Sequence, residues 1–273
     1  MSYTFAQMVD EVRANLSGYT LRQDRITNLT NSGGITTSEL AIKIGNSENL
    51  AKGIIEIDDE LIWVNSFDKA NLTLNAIAGF GRGYGGTTPA PHSQNAMVTL
   101  TPTFPRVNVK KAINDTINSL YPKLFAVNST TFTFNAAQIA YTLPDDARDV
   151  LYVSWQTVGP SKEWLPVNRW RIDRMANVAA FDTTKTVNLY EKIMPGRTVQ
   201  VYYSTIPNTL TNNTDDFASV TGLPESSRDV VTLGAAYRLL SYLDTGRINL
   251  SSAEADINDN KLPSTAGASA SKY

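Results

Sequence analysis

The chain contains no cysteine, which excludes disulfides, thiolate metal sites and cysteine nucleophiles together. Histidine is nearly absent as well. His92 stands alone, so a zinc site or a Ser-His-Asp triad would hang on one residue in a proline-rich loop, and no chemical role is expected of it. Neither sign of charge dominates, with 24 lysines and arginines against 26 aspartates and glutamates. The resulting net charge of −2 offers no basic field to nucleic acid or anionic lipid, which argues against DNA binding as the main task. Long apolar runs are missing too: none approaches the ~18 residues of a membrane span. The opening MSYTFAQMVDEV lacks the basic and apolar regions of a signal peptide. The expectation is a soluble protein made in a cytosol, with no membrane partner.

What is present is an ordinary folding composition, 42% hydrophobic and 18% charged, with a Thr- and Asn-rich remainder that suits strands and partner contacts. The 273 residues can bury a sizeable core. Phe5, Met8, Val9, Val12 and Leu16 follow helical spacing, Thr4 and Gln7 can form a capping box, and Ser17-Gly18 supplies a stop. After a polar stretch to Gly34 the period changes to two, predicting strands at 39–45, 53–57, 60–65, 72–75 and 97–101, with Asp58-Asp59 as a turn. Helical spacing returns from Asn108 to Leu124, with Pro122 kinking or closing its last turn. Further strands are predicted at 131–135, 140–144, 150–157, 163–170, 186–191 and 198–205, with 194–197 as the turn of the last hairpin. A third helix runs from Ser226 or Ser227 to a stop at Gly246, apolar nearly all round and therefore central; a weaker one covers 251–260.

The expected class is α+β. A discontinuous α-helical bundle (1–19, 104–127 and 222–262) carries two inserted antiparallel β domains, a small barrel or sandwich over 20–103 and a second over 128–221, and ends in an extended C-terminal tail over 263–273. That tail is small and polar, with nothing to bury alone.

Three stretches invite a chemical reading. In GFGRGYGGTTPAPHS (79–93), Gly81, Gly83 and Gly86 have dinucleotide-loop spacing, but Pro89 and Pro91 stand where the phosphate-binding helix would have to start. The glycines are read instead as freeing an exposed connection that displays Arg82 and Tyr84. Glu56, Asp58, Asp59 and Glu60 are read as a solvated hairpin tip, because a glycosidase pair needs carboxyls facing across a cleft. In NRWRIDR (168–174), alternation sets Arg169 and Arg171 on one face and Trp170 on the other, which fits an edge strand or interface better than a nucleic-acid groove. No nucleophile elbow, metal frame or phosphate loop is found, so no enzyme activity, catalytic residue, metal or cofactor is expected.

The stretch IIEIDDELIWVNSFD with the R-G-x-x-G-T-T-x-x-x-H loop resembles a β module of tailed-bacteriophage virion proteins. FPRVNVKKAINDTINSLYPKLF, YTLPDDARDVLYVSW and LPESSRDVVTLGAAYRLLSYL resemble the head-to-tail connector, or neck adaptor, proteins. That resemblance implies a structural virion protein forming a homo-oligomeric, dodecameric ring that joins portal protein to tail or neck proteins and lines the passage for DNA. It also implies location in the neck, assembly in the host cytoplasm, and a C-terminal segment docking on the portal through Leu262, Pro263, Ser264, Lys272 and Tyr273. Arg82, Tyr84, Arg169, Trp170 and Arg171 are the candidates for inter-subunit or tail-side contact. A free subunit is expected to be monomeric, and acidic and polar side chains are expected to line the channel. A tail or baseplate component, or a carbohydrate-binding β protein using Trp164, Trp170 or Tyr84, are the alternatives.

Overall fold

The computed structural model describes residues 3–19, 23–46, 48, 50–159 and 162–241. The chain is mixed α+β with antiparallel sheets, and it divides into two compact units. One comprises Phe5–Thr116 and the chain from Asp229; the other comprises Met1–Thr4 and Ile117–Arg228. The helix expected at 251–260 and the tail over 263–273 lie outside the described residues.

The first unit, called here the barrel unit, begins with helix α1 (Phe5–Ser17), which buries the five apolar residues its spacing predicts. Six strands follow: β1 (Arg25–Asn28), β2 (Ala41–Lys43), β3 (Gly53–Ile57), β4 (Glu60–Asp68), β5 (Thr73–Ala76) and β6 (Met97–Leu100). They form one sheet in the order β1-β6-β3-β4-β5-β2. A Leu29–Ile44 bridge ties the two end strands, with Thr30 N donating to Lys43 O at 2.8 Å and Gly45 N to Asn28 O at 3.1 Å. The half-barrel so made encloses Leu29, Ile42, Ile55, Ile57, Ile62 and Leu74, each contributing about 1.5–3 kcal/mol by leaving water. Strand β1 was not expected. Its sequence, RITN, has one apolar residue and is mostly exposed, so it shows no alternation; pairing with β6 makes it a strand.

Helix α2 (Arg106–Leu120) ends just before Pro122, and α4 covers 228–241. Within the barrel unit α4 lies close to α2, since a Cβ on Gly234 would come within 2.6 Å of Thr116 Cγ2. Arg238 Nε donates to Thr116 Oγ1 at 3.1 Å. The helix expected to be central, apolar nearly all round, buries one side within this chain. Val231, Ala235, Ala236 and Leu239 are buried, but Val230, Leu233 and Tyr237 face outward.

The second unit, the sandwich unit, has strands β7 (Ala126–Thr133), β8 (Ala140–Thr142), β9 (Asp149–Gln156), β10 (Trp164–Pro166), β11 (Trp170–Asp173), β12 (Thr186–Leu189) and β13 (Thr198–Thr205). A four-stranded sheet, β10-β9-β13-β7, and a three-stranded sheet, β11-β12-β8, share one core that includes Val153, Val199 and Val201 from the first and Tyr141, Val187 and Leu189 from the second. The strand expected over 163–170 is two strands in different sheets. The chain crosses between them after Val167, where Asn168 N donates to the Glu191 carboxylate at 2.7 Å and Arg169 O accepts from Tyr190 N at 2.8 Å. The turn at 194–197 forms, but β12 and β13 are not paired; Gly196 N donates to Phe134 O, beyond the end of β7. A short helix, α3 (Phe217–Thr221), escapes sequence periodicity because it is five residues long; Asp216 caps it by accepting from Ser219 N.

Candidate functional site

Glu60 opens β4, and its side chain is 0% exposed. Its Oε1 accepts from Arg82 Nε at 2.7 Å and Gly83 N at 2.9 Å; its Oε2 accepts from Arg82 Nη2 at 2.9 Å, Ala90 N at 3.0 Å and His92 Nε2 at 2.9 Å. Arg82 also donates to the carbonyls of Thr36 (2.6 Å), Glu39 (2.8 Å) and Ala90 (2.7 Å). Every N–H of the guanidinium is thereby used. His92 Nδ1 meets Asp58 Oδ2 at 2.7 Å, so both ring nitrogens face carboxylates and both donate, as an imidazolium does. Burial pulls the His92 pKa down, but hydrogen bonds and charge from Asp58 and Glu60 outweigh it and raise it to about 9. Burial likewise raises the Glu60 pKa, yet Arg82, His92 and the amides of Ala90 and Gly83 bring it down to about 2.

The loop is fitted around this cluster. Gly83 sits at φ 65°, and a Cβ there would lie 2.7 Å from Pro89 Cδ; a Cβ on Gly81 would lie 2.3 Å from Ile77 O. Thr87 Oγ1 accepts from Leu61 N at 3.0 Å and donates to Tyr84 O at 2.9 Å. The arginine, glycine, threonine and histidine of the loop motif thus all serve to hold it on the β3–β4 hairpin.

The other two hairpin carboxylates hold helices. Glu56 accepts from Arg13 Nη1 of α1 at 2.8 Å and from Arg106 N, the first amide of α2, at 2.5 Å. Pro105, just before α2, has no polar side chain, so this carboxylate acts as the cap at the positive end of the helix dipole. Burial raises the Glu56 pKa despite the Arg106 amide and the Arg13 charge. Asp59 takes Lys110 Nζ at 2.8 Å and Arg106 Nε at 3.3 Å. The solvated-tip reading is therefore corrected for Glu56 and Glu60, which are buried. The groups that cover them come from residues distant in sequence, which a local reading does not see. The available signal was the lone histidine following an Arg-Gly pair. Glu60, held down to about 2, and His92, raised to about 9, hold opposite charges against each other across neutral pH.

Arg82, expected on display, is turned inward. Tyr84 is half-buried, its ring 5.1 Å from that of Trp63. On edge strand β11, Trp170 packs against the sandwich core while Arg169 beside it and Arg171 are exposed. Trp164, on β10, is exposed. Leu262, Pro263, Ser264, Lys272 and Tyr273 lie outside the described residues.

Sequence reasoning did not single out the outer face of the four-stranded sheet. Register sets Ser129 beside Tyr202, Tyr202 beside Tyr152, and Thr131 beside Gln200. Gln156 and Trp164 continue the face at its other edge. From the β-bulge at Tyr202/Tyr203 to Thr198 these positions carry no charge, and the Tyr152 and Tyr202 rings lie 6.3 Å apart. Depletion of charge with enrichment of Tyr and Trp is the composition of interface cores. The alternation in STTFT and TVQVYYST was the signal.

Among the described residues no group of His, Asp and Glu is placed to hold a metal ion, and no helix is long and apolar enough to cross a membrane. Residues 93–268 match the family model described as SU10 adaptor protein. No curated protein matches the chain. The matched stretch starts one residue after His92, so it contains β6, α2 and every sandwich strand but not β1–β5.

Proposed function

Since the chain belongs to the SU10 adaptor protein family, a family of phage structural proteins, we propose that it is a non-enzymatic neck adaptor, a dodecameric ring that joins the portal to the tail and lines the DNA passage. The helices α1, α2 and α4 form the hub of each subunit in this reading. The tail residues Leu262, Pro263, Ser264, Lys272 and Tyr273 dock on the portal, where twelve linked anchors act through avidity. Tyr84, Arg169, Trp170 and Arg171 serve inter-subunit or tail-side contacts, whereas Arg82 contributes by holding the loop that carries Tyr84. The ring sits in the virion neck after assembly in the host cytoplasm.

The observation that carries the reading is the family match across every strand of the sandwich unit, whose uncharged Tyr- and Trp-bearing sheet face suits protein partners. The near-neutral charge balance supports a conduit role, because clustered lysine and arginine would brake DNA through phosphate contacts. Negative-stain imaging of the protein mixed with portal tests it: rings on the portal are expected, and rings formed only with tail-tube protein would make this a tail component instead. Deleting 263–273 is expected to abolish portal binding while leaving a folded chain. Undiminished binding would remove the docking role of the tail.

A further inference from the structure

An open sheet edge is a row of unpaired N–H and C=O groups that recruits extended chain, and proteins usually blunt it. Most edges here are blunted. Strands β1 and β2 are tied by the Leu29–Ile44 bridge. In the three-stranded sheet, β8 has three residues and β11 carries Arg171 and Asp173. On the β10 edge, Glu163 O accepts from Thr157 N at 2.8 Å and Val167 N donates to Val153 O at 2.9 Å, which turns these residues toward β9. Trp164 and Pro166 then face outward, and Pro166 has no N–H to offer.

Strand β7, at the opposite edge of that sheet, has none of these devices. Its eight residues, AVNSTTFT, include no proline, glycine or charge. Just past its end Phe134 N donates to Arg197 O at 2.8 Å and Phe134 O accepts from Gly196 N at 2.9 Å. Phe134 therefore faces β13, as do Phe132, Thr130 and Asn128 by alternation, and the N–H and C=O groups of Val127, Ser129, Thr131 and Thr133 point out of the sheet. Among the described residues no backbone hydrogen bond reaches those four from beyond the edge.

We propose that the β7 edge is a strand-pairing site and that its occupant is β7 of a second copy, running antiparallel and joining two four-stranded sheets into one. The edge is complementary to itself. A two-fold axis at Thr130 sets Val127 opposite Thr133 and Ser129 opposite Thr131 across the two copies, uncharged against uncharged, and pairs every outward N–H with a carbonyl. The uncharged outer face runs on across the seam. A ladder with little apolar burial is a weak association, populated at high protein concentration. A two-fold pair closes on itself whereas a ring needs two different surfaces, so the pair is a state of the free protein. Its failure would leave the adaptor reading untouched.

Sedimentation equilibrium of the full chain over a concentration series tests the proposal. The wild type is expected to shift from monomer to dimer. Thr131→Pro is expected to remain monomeric at an unchanged melting temperature, because the N–H it removes is unused within one copy. Should the proline variant fold poorly, Ser129→Asp with Thr131→Asp sets like charges across the seam and leaves the backbone donors in place; it is expected to lose the dimer and regain part of it at high salt. A wild type that stays monomeric throughout, or a dimer that survives these substitutions, overturns the proposal.

Discussion

In the barrel unit the chain turns ionisable side chains inward: Glu60 is enclosed by Arg82, His92 and two amides, and Glu56 by Arg13 and the start of α2. In the sandwich unit it keeps them off the sheet face, where Thr131, Gln200, Tyr202 and Tyr152 lie in register. The two choices have different physical consequences. A buried ion cluster costs desolvation and tolerates no missing partner, so it fixes one geometry. A neutral hydroxyl and amide face loses little when water leaves it, so it suits a surface that meets other proteins. The family match takes in all the strands with the neutral face and only the last strand of the half-barrel.

Removing the centre of the cluster should expose this contrast most strongly. Glu60→Ala leaves two buried cations without their shared anion and is expected to destabilise the barrel unit by about 3–5 kcal/mol. Of the four tryptophans, Trp63 belongs to the barrel unit and Trp155, Trp164 and Trp170 to the sandwich unit. A variant with those three changed to Phe therefore reports barrel unfolding in denaturant by fluorescence. A loss below about 1 kcal/mol would place the cluster with ordinary exposed ion pairs.

The pH dependence of the barrel unit should be the next largest effect. His92 is raised from 6.5 to about 9, so the stability its charge contributes is complete below pH 6.5 and is lost as pH climbs toward 9. Glu60 is lowered from 4.5 to about 2; its contribution is complete above pH 4.5 and is lost as pH falls toward 2. The Trp63 transition should accordingly weaken below pH 4.5 and again above pH 6.5, and His92→Gln should flatten the fall above pH 6.5 while leaving the acid limb and the loss that the raised Glu56 carboxyl gives as pH climbs past 4.5. An alkaline limb that persists in His92→Gln would assign it to another group.

The elements whose signal is local were legible in the sequence. Helix α1 shows its buried face in residue spacing and β13 in the alternation of Val199, Val201 and Tyr203, while β3 and β4 stand out as short apolar runs buried over most of their length. What escaped depends on distant partners. RITN becomes β1 through pairing with β6, and EIDDE looks like an exposed tip because its cover comes from Arg13, Arg82, His92 and Arg106. The apolar residues of α4 suggested a central helix, but three of them face outward, since composition does not say how many sides of a helix find a neighbour. Of the contact candidates, the exposure of Arg171 and the inward packing of Trp170 follow from strand alternation; the inward turn of Arg82 does not, because its acceptors come from three separate segments.

Glu56→Gln should give a smaller loss. The amide keeps an acceptor for Arg106 N but drops the charge that faces Arg13, while removing the need to ionise a buried carboxyl. A cost of about 1 kcal/mol or less is expected, the size of a partly exposed ion pair, because the cap is kept. Circular dichroism melts of this variant and of Glu56→Ala separate the contributions, since Ala also loses the cap and should cost more. Equal losses would mean that the cap contributes nothing.

The smallest effect is expected on the neutral face. Tyr152→Ala removes an exposed ring that lies 6.3 Å from the Tyr202 ring, and exposed positions of this kind usually change stability by about 0.5 kcal/mol or less. The corresponding loss in binding to a phage structural partner should be far larger, because an aromatic side chain at an interface centre often accounts for about 2 kcal/mol or more. Denaturant unfolding and a pull-down with portal or tail protein measure the two quantities separately. If Tyr152→Ala weakened folding as much as Glu60→Ala, the neutral face would belong to the fold, and the contrast between the two units would fail at the surface on which it rests.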